Sequence, residues 1–171
     1  MIIIPTKVNY HEYLDNFEIC GIILSGGGDL YSIDKSELSL QRDKKEKQIL
    51  DYAIINSIPI IGVCRGMQFI AESFNSTLKS ITNHVSVKHE IFPVSKFWGS
   101  TYFNDREKVN SYHNYAIENL SDDLICTFKS SDGCIESFIH ESQKIYCQMW
   151  HPEREVPFAN FDLKIFQNFF K

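Results

Sequence analysis

The segment PIIGVCRGMQ, Pro59 to Gln68, limits the fold more than any other stretch of this chain. A short β-branched run, Ile58 to Val63, leads directly into Cys64, with Gly62 two positions before it and Gly66 two after. Such a run predicts a buried strand. The residues that follow, RGMQFIAESFN, place Met67, Ile70, Ala71 and Phe74 at helical spacing. A strand that becomes a helix within one residue needs a sharp turn, and small neighbours let the backbone pack closely around it.

A second buried strand is read at Ile19–Leu24, within EICGIILSGGGD, and it too ends in a glycine-rich turn. Lys35 to Asn56 is polar and becomes helical toward its end, with Ile49, Tyr52, Ala53 and Ile55 on one side. Further strands are expected near 85–97, 123–128, 134–139 and 144–150, and an aromatic-rich helix over 160–170. Buried strands alternating with helices predict an α/β fold. The expected form is a mostly parallel, doubly wound sheet flanked by helices, with antiparallel strands joining late. Residues 1–171 read as a single domain, with no repeat and no linker.

The net charge of −5 leans against a general nucleic-acid binder. No apolar run approaches the roughly 20 residues that span a bilayer. The N-terminus lacks the basic and apolar regions of a signal peptide. Five cysteines, at 20, 64, 126, 134 and 147, contain no CxxC pair and suggest free thiols in a reducing cytoplasm.

Cys64 alone among these has a reactive setting. The helix after it points its N-terminus at the sulfur, which lowers a thiol pKa, and the Arg65 N–H is placed for a developing oxyanion. The alternative is a small buried apolar side chain. His151, in QMWHPERE, ends the expected strand 144–150 and so shares a sheet edge with Cys64. Glu153 follows across Pro152 and can turn back on the imidazole, giving a Cys-His-Glu set. SGGGD, Ser25 to Asp29, lacks the lysine of a phosphate-binding loop. It can supply a second oxyanion donor from Gly27 or Gly28, or be a plain turn. His84 and His89, in NHVSVKHE, suggest a metal, but no third ligand of matching spacing accompanies them, so surface or substrate roles are expected and no metal.

LSGGGD, PIIGVCRGMQ and QMWHPE, in that order, resemble the class I glutamine amidotransferase superfamily and its flavodoxin-like fold. CRGMQ with GGGD, and VNSYHNYAI at 109–117, resemble its γ-glutamyl hydrolase branch, peptidase C26. That resemblance implies Cys64 as nucleophile, His151 as base, Glu153 as its orienter, and Gly27 and Arg65 as oxyanion donors. Gly28, Gln68, Ser111, Tyr112 and His113 are expected to face the substrate, and no cofactor is implied. NHxxxKHE, NSYHNYAIENL, IESF and MWHPERE are similar to a subgroup that frees glutamate from a γ-glutamyl-linked cytidine diphosphoramidate in bacterial capsule biosynthesis. Against the family pattern the chain starts at IIIPTKV, so a shortened N-terminus is expected.

The chemistry implied is attack of the Cys64 thiolate on a γ-glutamyl amide, a γ-glutamyl thioester, and its hydrolysis. The substrate is a small molecule, nucleotide-linked in the subgroup reading. Arg65, Gln68, Arg106 and Arg154 are candidates for the glutamyl α-amino and α-carboxylate groups. Lys88, His89, Lys96, Trp98, Tyr102 and His113 are candidates for the leaving group. The alternatives are a glutaminase subunit passing ammonia to a synthase partner, a cysteine peptidase or chaperone-like relative, and a pseudoenzyme.

Overall fold

The computed structural model describes residues 2–5, 8–14, 16–104 and 107–171, except for the side chain of His11. The strand β2 (Ile60–Val63) is buried along its whole length. It pairs in parallel with β1 (Ile22–Leu24) on one side and β9 (Ile145–Gln148) on the other. The sheet continues through β8 (Ile135–His140), β7 (Leu124–Ser130), β4 (Val85–Pro93) and β5 (Glu107–Tyr112), in the order β1-β2-β9-β8-β7-β4-β5. A separate antiparallel pair joins β3 (Thr77–Ser80) and β6 (Tyr115–Asn119).

The α/β class follows the sequence reading, but the parallel pairing is confined to β1, β2 and β9. Every pairing from β9 to β5 is antiparallel, a larger share than a mostly parallel sheet implies. Short connections explain this. Residues 131–134 join β7 to β8, turning at Gly133 (φ +87°), and 141–144 join β8 to β9. Neither connection is long enough for the crossover that parallel neighbours need. Residues 2–5 form no strand.

The α-helices among the described residues are α1 (His11–Leu14), α2 (Tyr31–Asp34), α3 (Glu37–Ile55), α4 (Arg65–Ser73) and α5 (Asn160–Phe169). Ser36 caps α3, its hydroxyl accepting from the Ser39 N–H at 3.1 Å. The α4 and α5 helices cover opposite faces of the parallel strands. A Cβ on Gly62 would lie 2.9 Å from both the Gly66 carbonyl of α4 and the Cys147 sulfur, so that face meets α4. Tyr146, next along β9, points the other way, stacks on Phe97 and meets Phe169 of α5. Trp98 and Tyr102 belong to this aromatic layer, with Trp98 stacked on Phe169 at 5.2 Å. They pack against each other and against β9 and α5, with Trp98 still partly exposed. No helix among the described residues is long and apolar enough to cross a membrane.

One buried acid makes stability pH-dependent. Asp162 of α5 accepts from Trp150 Nε1 at 2.9 Å and Gln148 Nε2 at 3.4 Å. Burial pushes its carboxyl up to about 6, against those two hydrogen bonds. The folded pKa exceeds the unfolded value of about 3.9, so the stabilisation is full below about pH 4 and lost as pH rises through about 6. Two pKa units correspond to about 3 kcal/mol. Asp162→Asn keeps an oxygen for Trp150 and cannot ionise. It is expected to flatten the fall of Tm across that window in thermal melts, and a profile identical to wild type would contradict this.

Candidate active site

Cys64 occupies the turn between β2 and α4 at φ +50° and ψ −105°, a backbone conformation costly for a residue with a side chain. The turn is fixed on both sides. The Cys64 N–H continues the β2–β9 ladder to the Gln148 carbonyl at 2.9 Å, and the Cys64 carbonyl accepts the Gln68 N–H at 3.0 Å as the first bond of α4. A Cβ on Gly66 would lie 2.1 Å from the Leu24 carbonyl oxygen, so only glycine lets α4 sit against the end of β1.

Burial pushes the Cys64 thiol up to about 11, against the pull of the Arg65 backbone N–H and the Arg154 charge. The sulfur is therefore a thiol at neutral pH, opposite to the lowered value expected from the helix N-terminus. The desolvation of a side chain only 7% exposed outweighs the single N–H donor. Such a thiol needs a base to take its proton as it attacks.

His151 borders the same space as Cys64. A Cβ on Gly26 would lie 2.6 Å from His151 Cε1 and 3.5 Å from Cys64 Cβ, so ring and cysteine flank the same space. His151 Nδ1 and Glu153 Oε1 are 2.6 Å apart. With Nδ1–H donating to the carboxylate, Nε2 is left as the acceptor. Partial burial raises the Glu153 carboxyl, but the His151 hydrogen bond and nearby positive charge hold it below its ordinary value. It is ionised at neutral pH and so can accept the Nδ1–H.

Asn110 of β5 clamps the backbone of His151, accepting its N–H at 2.9 Å and donating to its carbonyl at 2.8 Å. The same amide donates to Glu155 Oε1 at 2.9 Å, and Glu155 pairs with Lys88 at 2.7 Å. Asn110 lies within the VNSYHN motif but was not singled out from sequence, because backbone recognition leaves no pattern of residue types. It is a positioning residue. Asn110→Ala is expected to lower kcat by about a hundredfold with KM nearly unchanged, since about 1 Å of misplacement costs that much. A parallel loss of folded protein alone, with kcat per folded molecule intact, would contradict the role.

The glycine-rich loop is held from the other side. Arg42 of α3 donates to the carbonyls of Ser25 at 2.8 Å, Gly26 at 3.3 Å and Gly27 at 2.5 Å. In a trans peptide the N–H points opposite to the carbonyl, so the N–H groups of residues 26–28 face away from Arg42. Gly27 and Gly28 have φ of +94° and +71°, which favours glycine, and their Cβ positions are open. The sequence reading missed Arg42, although its i,i+4 spacing to Glu46 on α3 was a usable signal.

The other expected site residues divide. The Arg65 guanidinium is fully buried, pairs with Asp43 and, at 2.5 Å, with Glu46, and donates to the Asp29 carbonyl. It is a brace between α4 and α3 and is not free for a substrate carboxylate. Gln68 is buried, its Nε2 donating to the Tyr115 carbonyl at 3.0 Å. Tyr112 lies edge-on to His151 at 5.9 Å, with the Arg154 guanidinium 4.1 Å above its ring. Ser111 and His113 alternate with Tyr112 along the chain and turn into a buried cluster around His84. Of the three neighbours expected to face the substrate, only Tyr112 stands beside the His151 imidazole. Lys88 is engaged with Glu155, Lys96 is exposed, and Arg106 lies outside the described residues.

The chain has relatives among known proteins. The peptidase C26 family model matches residues 1–153. A γ-glutamyl-CDP-amidate hydrolase of Campylobacter jejuni is 37% identical over 155 residues, covering 91% of this chain and 70% of that protein. A glutamine-hydrolysing GMP synthase subunit of Thermoplasma acidophilum is 31% identical over 173 residues, covering 98% of this chain and 77% of the relative. Among solved structures, a Thermoplasma acidophilum protein described as a GMP synthase subunit superposes with a TM-score of 0.79 at 27% identity, over 99% of this chain and 78% of the other. A glutamine amidotransferase of Thermotoga maritima shares the fold at a TM-score of 0.69 and 19% identity, over 86% of this chain and 63% of that one.

Proposed function

The chain belongs to the peptidase C26 family, and we propose on that footing that it hydrolyses a γ-glutamyl amide through Cys64, His151 and Glu153. The observation that carries the reading is the Cys64 turn, with its strained backbone, flanking the same space as an imidazole paired with a carboxylate.

Each residue then has a role. His151 Nε2 takes the thiol proton as the sulfur attacks the γ-carbonyl carbon. The Arg65 N–H that holds the resting sulfur, and an N–H from Gly27 or Gly28, receive the charge on the carbonyl oxygen. His151 returns the proton to the departing nitrogen, the C–N bond breaks, and a γ-glutamyl thioester remains on Cys64. Water, losing a proton to the same imidazole, attacks that thioester. The C–S bond breaks, glutamate leaves and the thiol is restored. Glu153 keeps Nδ1 protonated throughout and stabilises the imidazolium.

For the substrate, we propose γ-glutamyl-CDP-amidate, giving glutamate and cytidine diphosphoramidate, a step suited to capsule biosynthesis. The 37% identity to a hydrolase of that name supports this, and so does an exposed aromatic ring with a guanidinium over it at the lip of the site. Tyr112 offers a stacking face, and Arg154 offers charge to the diphosphate or the glutamyl carboxylate. A second reading, glutaminase delivery of ammonia to a synthase partner, draws on the similarity to the GMP synthase relative. Glutamate release from the nucleotide conjugate and from glutamine separates the two. The first reading expects a kcat/KM ratio of at least about a hundredfold in favour of the conjugate. Release from glutamine alone would overturn it and support the second.

A further inference from the structure

Behind the active site, the side chains of His84, His89, His113 and Glu136 meet in one buried cluster that the proposed chemistry does not use. Glu136 of β8 is fully buried, and among the described residues neither of its carboxylate oxygens has a hydrogen-bond partner. An ionised group so placed is costly unless something compensates it. Three imidazole nitrogens surround its Oε1: His89 Nε2 at 3.3 Å, His84 Nδ1 at 3.7 Å and His113 Nε2 at 3.9 Å. The nitrogens of His89 and His113 also lack hydrogen-bond partners among the described residues.

The outer nitrogens indicate what the inner ones offer. His84 Nε2 lies 2.7 Å from Asp132 Oδ2, and His113 Nδ1 lies 3.0 Å from the Tyr115 carbonyl. Each outer nitrogen therefore carries the proton, and each inner nitrogen presents a lone pair. The nearby Ser111 hydroxyl donates to the His84 carbonyl at 2.7 Å, so it does not consume the lone pair on His84 Nδ1. Histidines held by a carboxylate or carbonyl on one nitrogen, with the other turned inward, are arranged as metal ligands are. The ligand atoms of His84, His113 and Glu136 all lie within 4.8 Å of one another. A tetrahedral zinc site with bonds of about 2.0–2.1 Å has ligands roughly 3.4 Å apart. The observed separations from Glu136 are within a few tenths of an ångström of that.

We propose that His84, His113 and Glu136 bind one divalent transition-metal ion of the zinc type, with His89 beside the Glu136 carboxylate and outside the ligand set. The ligands come from the approach to β4, from the β5–β6 turn and from β8, which is why no local spacing announces them. The ion is structural. The Tyr115 carbonyl that orients His113 also receives Gln68 Nε2, and the Glu136 carbonyl receives the Met149 N–H, two residues before His151. A metal here ties the antiparallel half of the sheet to both elements that carry the catalytic groups.

The test is titration of chelator-treated full-length protein with Zn²⁺ and with Co²⁺. Wild type and Cys64→Ser are compared, the latter removing the active-site thiol as a competing ligand. About one equivalent is expected in both, and the cobalt form should show visible ligand-field absorption without a thiolate charge-transfer band. Glu136→Gln and His113→Gln should each weaken binding by at least about a hundredfold, and Asp132→Asn, which leaves every ligand in place, by about tenfold. Circular dichroism identifies the folded variants to be compared. Binding of less than about a tenth of an equivalent at micromolar free zinc would overturn the proposal. So would a thiolate band persisting in Cys64→Ser, or folded Glu136→Gln and His113→Gln proteins that bind as wild type does.

Discussion

Cys64→Ala is expected to lower kcat/KM for glutamate release by about four orders of magnitude or more while leaving the fold in place. The size follows from the chemistry. Without the sulfur no thioester forms, and only binding and the oxyanion donors remain to assist direct attack by water. The small structural cost follows from the environment. Alanine keeps the Cβ and accepts the same backbone at φ +50°, and the thiol makes no side-chain hydrogen bond on which the turn depends beyond the Arg65 N–H. Thermal melts should shift by no more than about 1–2 kcal/mol equivalent. Steady-state assays alongside those melts check both halves, and a folded Cys64→Ala protein with substantial activity would remove the cysteine from the reaction.

Gly66→Ala is expected to have the largest effect on the fold itself. The added methyl would sit 2.1 Å from the Leu24 carbonyl oxygen, 2.7 Å from its carbon and 2.8 Å from the Leu24 Cβ. Two of those atoms are backbone at the end of β1, which is itself paired to β2, so nothing can swing aside. Relief requires α4 to lift away from the sheet, which also moves the Cys64 turn and the glycine-rich loop. A loss of about 3 kcal/mol or more is expected, at the upper end for overpacking. Gly27→Ala is the control. Its Cβ position is open, so only the left-handed backbone, about 1–2 kcal/mol, opposes it. Denaturant midpoints for the two variants test this, and equal losses would show that close approach to β1 is not what selects glycine at 66.

The parts of this fold legible in the sequence are those where one physical demand dominates. Ile60–Val63 is buried on both faces, so a continuous apolar run suffices to reveal it. The helices at 65–73 and 160–169 announce themselves by periodicity and fall close to the expected bounds, whereas the helix at 37–55 starts well before the apolar pattern that marks its end. The strands β3, β5 and β6 carry TLKS, EKVNSY and YAIEN, half-exposed and polar, and no periodicity marks them. The candidate site divides in the same way. Cys64, His151 and Glu153 stand in short local motifs, and the structure brings them to one place. Arg42 and Asn110 act on backbone groups far away in sequence, which no residue pattern encodes. Arg65 shows the opposite failure: a charged residue beside Cys64 reads as substrate-binding, but its guanidinium is buried against Asp43 and Glu46.

The thioester is the most direct object of measurement. Wild-type protein mixed with γ-glutamyl-CDP-amidate and quenched in acid within milliseconds should carry a γ-glutamyl group, found by peptide mass spectrometry on the peptide that contains Cys64. The adduct should form and decay at rates that account for turnover, and it should be absent from Cys64→Ala. Turnover with no adduct on Cys64 at any quench time, together with retained activity in Cys64→Ala, would contradict nucleophilic catalysis at this turn.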